Sequence, residues 1–434
     1  MLEKLRYINI NKIRRLRYIH IPNLLILNKR NTSFWLFTIG IAINVFASIY
    51  VMYLWPLGVF YPILTVPFFL GALLFSYNTP HPLFTRPDFF LPTILSLTLQ
   101  YYQCIVNDQN VIPYIVATCA IFCYYCLFSI DKASVQKAMT CICKGLAGFL
   151  IISISTFLLY VLGFNLPNTA VTFGNYSYTN YMFFLLDDRE LWSQLLLPRF
   201  HSVFLEPGHM GTTIVMLLAT QIGKWKTWYN TVLIIALLLS FSLAAYCLGV
   251  ILIFLRLWLL RRKIIAKLII LVSSIIIVVG ASFIYKGGDN MLNTLIVMRL
   301  EMNDSGDDFE GNNRVSEDFK KEFDSFIDSS DILFGREMDR SSWGNSGYRV
   351  YIYDYGIIGL LLFLVFYYFA FRSGTDKRAI SAAFILSLTN FWIRGYPMIF
   401  AFLFPYFLIS QLDISRLKEH TLPDEPNEHN TGEQ

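Results

Sequence analysis

Four ionisable side chains crowd one short stretch of this chain, Arg199-Phe-His-Ser-Val-Phe-Leu-Glu-Pro-Gly-His-Met-Gly211, at the mouth of an apolar run. They are Arg199, His201, Glu206 and His209. Pro207 stands near the first turn of the helix expected to follow, where proline is tolerated. The set can grip an anion and accept a proton beside it: guanidinium stays charged and binds phosphate through paired hydrogen bonds, and a carboxylate or imidazole serves as base. Two histidines flanking a glutamate also raise zinc. Their spacing of eight residues, however, is not the i, i+4 step that sets both on one helical face, so no metal is expected.

A second polar region, 286–354, supplies five more arginines, Arg299, Arg314, Arg336, Arg340 and Arg349, and holds fifteen of the thirty Asp and Glu residues. An arginine in an acidic loop is commonly a salt-bridge partner worth ~0–1 kcal/mol, so each has two readings, ion-pair partner or substrate ligand. Gly344, Gly347 and Tyr348 follow these arginines; glycine there suits close backbone approach to a bulky anion, and equally suits an ordinary turn. Phe319, Phe323 and Phe326 recur at helical spacing among charged residues, which predicts an amphipathic helix over 315–327 lying as a lid on the apolar body.

The elements that must position these groups are membrane helices. The chain is 55% hydrophobic, 17% aromatic and 15% charged, with a mean hydropathy of +0.51, which excludes an ordinary soluble core. At about 20 residues per span, the expected fold is all-α, a polytopic integral membrane protein of about twelve transmembrane helices with two extended outward loops. The expected spans are 34–55, 58–77, 89–106, 111–130, 141–164, 209–222, 229–241, 244–260, 264–285, 355–371, 380–393 and 398–409. The run from 229 to 260 is too long for one crossing and is split at 240–242.

This organises the chain as a basic arm (1–33), five helices (34–164), a loop (165–208), four helices (209–285), a large acidic loop (286–354), three helices (355–409) and a tail (410–434). Basic residues fix the orientation: 24 of 35 Lys and Arg fall on the side holding both termini, ten lie in the two long loops, and Arg394 stands at a span end. Both termini are therefore expected in the cytoplasm and both loops outside. Arg394, beside Gly395 and Pro397, either lines the same outer cavity or snorkels to headgroups. The arm mixes basic and apolar residues, as does a helix on an anionic membrane surface or a solvated topogenic segment. The tail after residue 422 reads as disordered.

All seven cysteines fall inside expected spans, so no disulfide framework is expected outside. Cys119, Cys123 and Cys126 share a helix face without a His or carboxylate, which points to packing. No phosphate-binding glycine loop or dinucleotide motif is present, so neither a nucleotide-sugar donor nor a cofactor is implied, and nucleic acid is not expected.

The segment 199–211 resembles the "Arg, two to four residues, Phe-x-Glu-Pro" element of bacterial O-antigen polymerase-like proteins. Asn-Asn-Arg314, the Leu-Phe-Gly335 turn and Tyr-Gly-Ile-Ile-Gly359 follow in the same order. Related O-antigen ligases carry His-Asn where this chain has Asn345 and Ser346, which favours a polymerase; Arg336 and Gly347 are also separated by ten residues, as in a loop motif of polymerases. The resemblance implies a metal-independent glycosyltransferase of the bacterial cytoplasmic membrane that polymerises lipid-linked repeat units for O-antigen, capsule or exopolysaccharide. Donor and acceptor are polyprenyl-diphosphate-linked oligosaccharides, the surroundings are membrane lipids, and a chain-length regulator and a flippase are the partners such a protein would have. On that reading Arg199 and Arg314 lead as diphosphate ligands, with Arg299, Arg336, Arg340, Tyr348 and Arg349 also on the substrate. Glu206 leads as base, followed by His201 and His209. The rival expectations are an O-antigen ligase and a non-enzymatic flippase.

Overall fold

The computed structural model of the chain describes residues 29–77, 79–86, 89–107, 109–174, 176–188, 198–260, 264–290, 292–302, 316–336, 347–395 and 398–414. It is mostly helical. The first half runs α1 (Lys29–Ser48), a 3-10 helix Met52–Phe60 that leads directly into α2 (Tyr61–Ser76), then α3 (Phe90–Val106), α4 (Val111–Ser129) and α5 (Lys132–Val161). Then come α6 (Pro207–Thr220), α7 (Trp228–Leu239), α8 (Leu243–Leu260) and α9 (Ile264–Ile284). The chain continues with α10 (Glu317–Ile327), α11 (Tyr348–Phe371), α12 (Lys377–Arg394) and α13 (Phe400–Ser410).

The twelve expected spans each overlap a helix, but fewer are long and apolar enough to cross a membrane. Seven described helices are long and apolar enough to cross a membrane: Lys29–Ser48, Met52–Ser76, Val111–Ser129, Lys132–Val161, Leu243–Leu260, Ile265–Gly288 and Tyr348–Phe371. Two of the shorter ones have a physical reason to be short. With 14 residues, α6 is about 21 Å long against a hydrocarbon core of ~30 Å. Yet residues 210–220 are buried, as is every residue of α13, so protein rather than lipid surrounds both. At the periphery α9 shows the opposite, with Ile265 and Ile284 76% and 83% exposed.

Side-chain caps start several helices where the sequence turns polar. Asn110 accepts from the Ile112 amide, Asp131 from Ser134, Ser316 from Phe319 and Asp376 from Arg378. Close approach tightens the centre: a Cβ on Gly211 of α6 would come within 2.5 Å of the Ala245 Cβ on α8. Inside the bundle, Asn44 of α1 donates to the Thr65 hydroxyl of α2 at 2.7 Å, a polar tie suited to apolar surroundings.

Long-range contacts sort the helix ends into two groups. Arg86 reaches Gln411 and the Ser373 carbonyl, and Arg378 reaches the Leu259 carbonyl. At the other end the Met52 amide donates to the Val203 carbonyl, Ala401 to the Ser48 hydroxyl, and Tyr102 to the carbonyls of Phe334 and Tyr355. Both long polar segments therefore share one end of the bundle.

The first of these segments corrects the all-α expectation. Residues 169–187 form a three-stranded antiparallel sheet, β1 (Thr169–Phe173), β2 (Tyr176–Asn180) and β3 (Leu185–Asp187), in the order β1-β2-β3. The β-prone runs Thr-Ala-Val-Thr-Phe173 and Tyr-Ser-Tyr-Thr-Asn180 flank Gly174, which takes the left-handed φ of 57° that a tight hairpin needs. In the second segment the amphipathic helix forms as α10. Its Phe319, Phe323 and Phe326 are buried against Val350 and Tyr353 of α11.

Candidate functional site

The segment before α6 is a rigid bracket. Residues 200–205 are all buried, whereas Arg199 and Glu206 at its two ends are half-buried. Five hydrogen bonds pin it: the Phe200 amide donates to the Leu239 carbonyl at 3.1 Å, the Leu185 amide to the Ser202 carbonyl at 2.8 Å and the Met52 amide to the Val203 carbonyl at 2.9 Å. Tyr178 donates to the Leu205 carbonyl at 3.1 Å and Ser153 to the Ser202 hydroxyl at 2.8 Å. The sheet thus clamps a turn whose only accessible charges are the arginine and the glutamate.

His201 lies inside that clamp, fully buried, with Nδ1 2.6 Å from the Phe204 carbonyl oxygen and its ring edge-on to Tyr178. It closes the turn and presents no surface to a substrate. His209 is half-buried in the first turn of α6, its amide bonded to the Glu206 carbonyl at 3.1 Å.

Glu206 occupies the N-cap position of α6 but makes no side-chain cap hydrogen bond. Its carboxylate turns instead toward Arg394, 3.9 Å away at the C-terminus of α12. Arg394 does not snorkel. It is 8% exposed and its guanidinium crosses directly over Gly208, where a Cβ would collide with it and lie 3.5 Å from the Ser242 hydroxyl. The end of α12 is set by Gly395, whose φ of 67° is a left-handed cap and whose missing Cβ leaves room for the Gly347 carbonyl. Gly347 in turn opens α11, so the far end of the acidic loop is tied to the Arg394 corner.

The third contributor is Arg299, in the short turn Met298–Leu300. Its pKa is lowered, first by burial and then by the positive charge of Arg199. Two arginines a hundred positions apart in sequence are thus held within electrostatic reach of each other, and one of them is desolvated. The nearby positive charge disfavours the charged form of Arg299 in the same direction as burial does. The Phe200 amide and Gly208 both meet the α7–α8 turn, at Leu239 and Ser242, so the Arg199 and Glu206–Arg394 corners flank one short connection.

The remaining arginines separate. Arg336 pairs with Asp331 at 2.6 Å and Glu322 at 3.0 Å, and Tyr353 also donates to Glu322 at 3.1 Å. Hydrogen bonding to Asp331 raises the Arg336 pKa, so its charge is satisfied within its own loop. Arg349 donates to the Tyr348 hydroxyl at 3.3 Å, and Tyr348 stacks on Trp392 with ring centroids 4.2 Å apart. Arg314, Arg340, Asn345 and Ser346 lie outside the described residues.

Sequence reasoning singled out Arg199, Glu206 and Arg299 but not which arginines meet, and it left Arg394 between two readings. The available signal for the latter was the pairing of a span-end arginine with a glycine-rich helix start. Among the described residues no three His, Cys, Asp or Glu side chains gather as a metal site. No protein-family model matches the chain, and neither curated proteins nor solved structures yield a match.

Proposed function

We propose that this chain polymerises lipid-linked oligosaccharide repeat units at the outer face of a bacterial cytoplasmic membrane, crossing it about twelve times with both termini inside. The observation that carries this reading is the electrostatic proximity of Arg199 and Arg299, which come from two polar segments, with Glu206 held at the other end of the Arg199 bracket.

The chemistry fits that inventory. An acceptor sugar hydroxyl attacks the anomeric carbon of a glycan carried on polyprenyl diphosphate, and Glu206 accepts the hydroxyl proton. The bond from the anomeric carbon to the diphosphate oxygen breaks, and its electron pair leaves with the polyprenyl diphosphate. Diphosphate needs no strong acid as a leaving group but does need positive charge as the bond breaks. Paired guanidiniums supply it through bidentate, charge-assisted contacts.

Deleting the gene and sizing surface polysaccharide together with its lipid carriers tests the reading. Carriers capped with a single repeat unit are expected. Full-length polymer accumulating on the carrier identifies a ligase instead, and unprocessed repeat units retained on the inner leaflet identify a flippase. Reporters fused after Lys224 and after Gln434 are expected to read cytoplasm; an outside signal from either overturns the orientation.

A further inference from the structure

Arg394 belongs to none of the loops from which a polymerase reading draws its substrate ligands, yet among the described residues it is the one arginine that is buried. It stands at the C-terminus of α12, is 8% exposed, and threads across a glycine to a glutamate. A buried guanidinium is costly unless a carboxylate meets it. Glu206, for its part, forgoes the cap bond that its position offers, and Arg394 is the one polar partner of its carboxylate among the described residues. At 3.9 Å the two groups touch through charge rather than through a short hydrogen bond, and Glu206 remains 37% exposed. One carboxylate oxygen is therefore steered while the group keeps lone pairs for an incoming hydroxyl.

From this geometry we infer that Arg394 is the positioning residue for Glu206, and that Gly208 is glycine so that the guanidinium can pass. The inference rests on the polymerase reading for what Glu206 does, but the pair itself does not. Arg394 holds the carboxylate away from the α6 amides and aimed at the acceptor hydroxyl, so the proton acceptor is fixed before substrate arrives. The close approach of Gly395 to Gly347 ties the end of α12 to the start of α11.

The test compares Arg394→Gln, Glu206→Gln, their double variant and Gly208→Ala in the full-length purified protein, by polymer formation and by melting. Arg394→Gln is expected to lose on the order of 10²-fold in turnover while the donor KM stays near wild type, and the double variant to be no slower than the slower single. Gly208→Ala should fold, because its Cβ collides only with the end of the Arg394 side chain and otherwise makes ordinary contact with the Ser242 hydroxyl, and should reproduce part of the loss. Wild-type turnover in Arg394→Gln overturns the assignment, as does a loss that merely tracks the folded fraction. A raised donor KM with multiplicative losses also overturns it, making Arg394 a diphosphate ligand instead. If the wild-type protein makes no polymer, the polymerase reading falls separately. The pair is then decided by melting: non-additive shifts support it and additive shifts overturn it.

Discussion

Arg199 and Arg336 are both half-buried arginines in polar segments at the same end of the bundle, and the structure uses them in opposite ways. Arg336 finds Asp331 five residues away and Glu322 on the preceding helix, both partly exposed, so the acidic loop neutralises its own cation. Arg199 is instead carried on a bracket of buried residues and lies within electrostatic reach of a second arginine, Arg299, from a different segment. Charge answered locally holds a loop together. Two arginines brought within electrostatic reach from separate segments are the pair that the polymerase reading assigns to one diphosphate.

That contrast can be broken most forcefully at the like-charged pair. Arg199→Ala and Arg299→Ala are each expected to reduce polymer formation by on the order of 10²-fold, the cost of removing one charge-assisted contact from a developing charge. Arg199→Lys should recover little, because a compact ammonium lacks the guanidinium fork. Near wild-type chain synthesis from either alanine variant returns that arginine to the class of Arg336.

The clasp that Arg336 forms with Asp331 and Glu322 predicts a smaller and different effect. Arg336→Ala should leave turnover within about threefold of wild type, since partly exposed ion pairs contribute little, but should lower the melting temperature and speed proteolysis near α10. Phe326→Ala, which removes a fully buried ring from the same cluster, should produce the same proteolytic phenotype more strongly. Loss of catalysis with unchanged proteolysis would show that the clasp arginine is also a ligand. The smallest expected effect is that of chelation: EDTA should leave transfer by the purified protein unchanged, and activity lost to EDTA and restored by one divalent ion contradicts the metal-independent chemistry.

Much of the scaffold was legible in the sequence because it depends on local pattern. Apolar runs of helical length marked each helix, the serines at 240 and 242 marked the break between α7 and α8, and the spacing of Phe319, Phe323 and Phe326 marked α10. The sheet at 169–187 was missed because strands of three to five residues carry little periodicity, and Gly174 was the clearest cue to its turn. The site was legible as an inventory and not as an arrangement. That Glu206 pairs with Arg394, 188 positions away, and that Arg199 comes within electrostatic reach of Arg299, follow from tertiary packing. His201 shows the same limit from the other side: its type and neighbourhood advertise chemistry, while burial assigns it to closing a turn.

The central claim is that Arg199 and Arg299 grip one diphosphate together. It is tested most directly by a double-mutant cycle on polymer formation from a synthetic polyprenyl-diphosphate-linked repeat unit, with Arg199→Ala, Arg299→Ala and the double variant at matched folded protein. Because both arginines act on one group, the double variant is predicted to fall little below the slower single variant, near 10²-fold below wild type. Losses that multiply, on the order of 10⁴-fold in the double variant, would show two arginines acting on separate groups and contradict the shared grip.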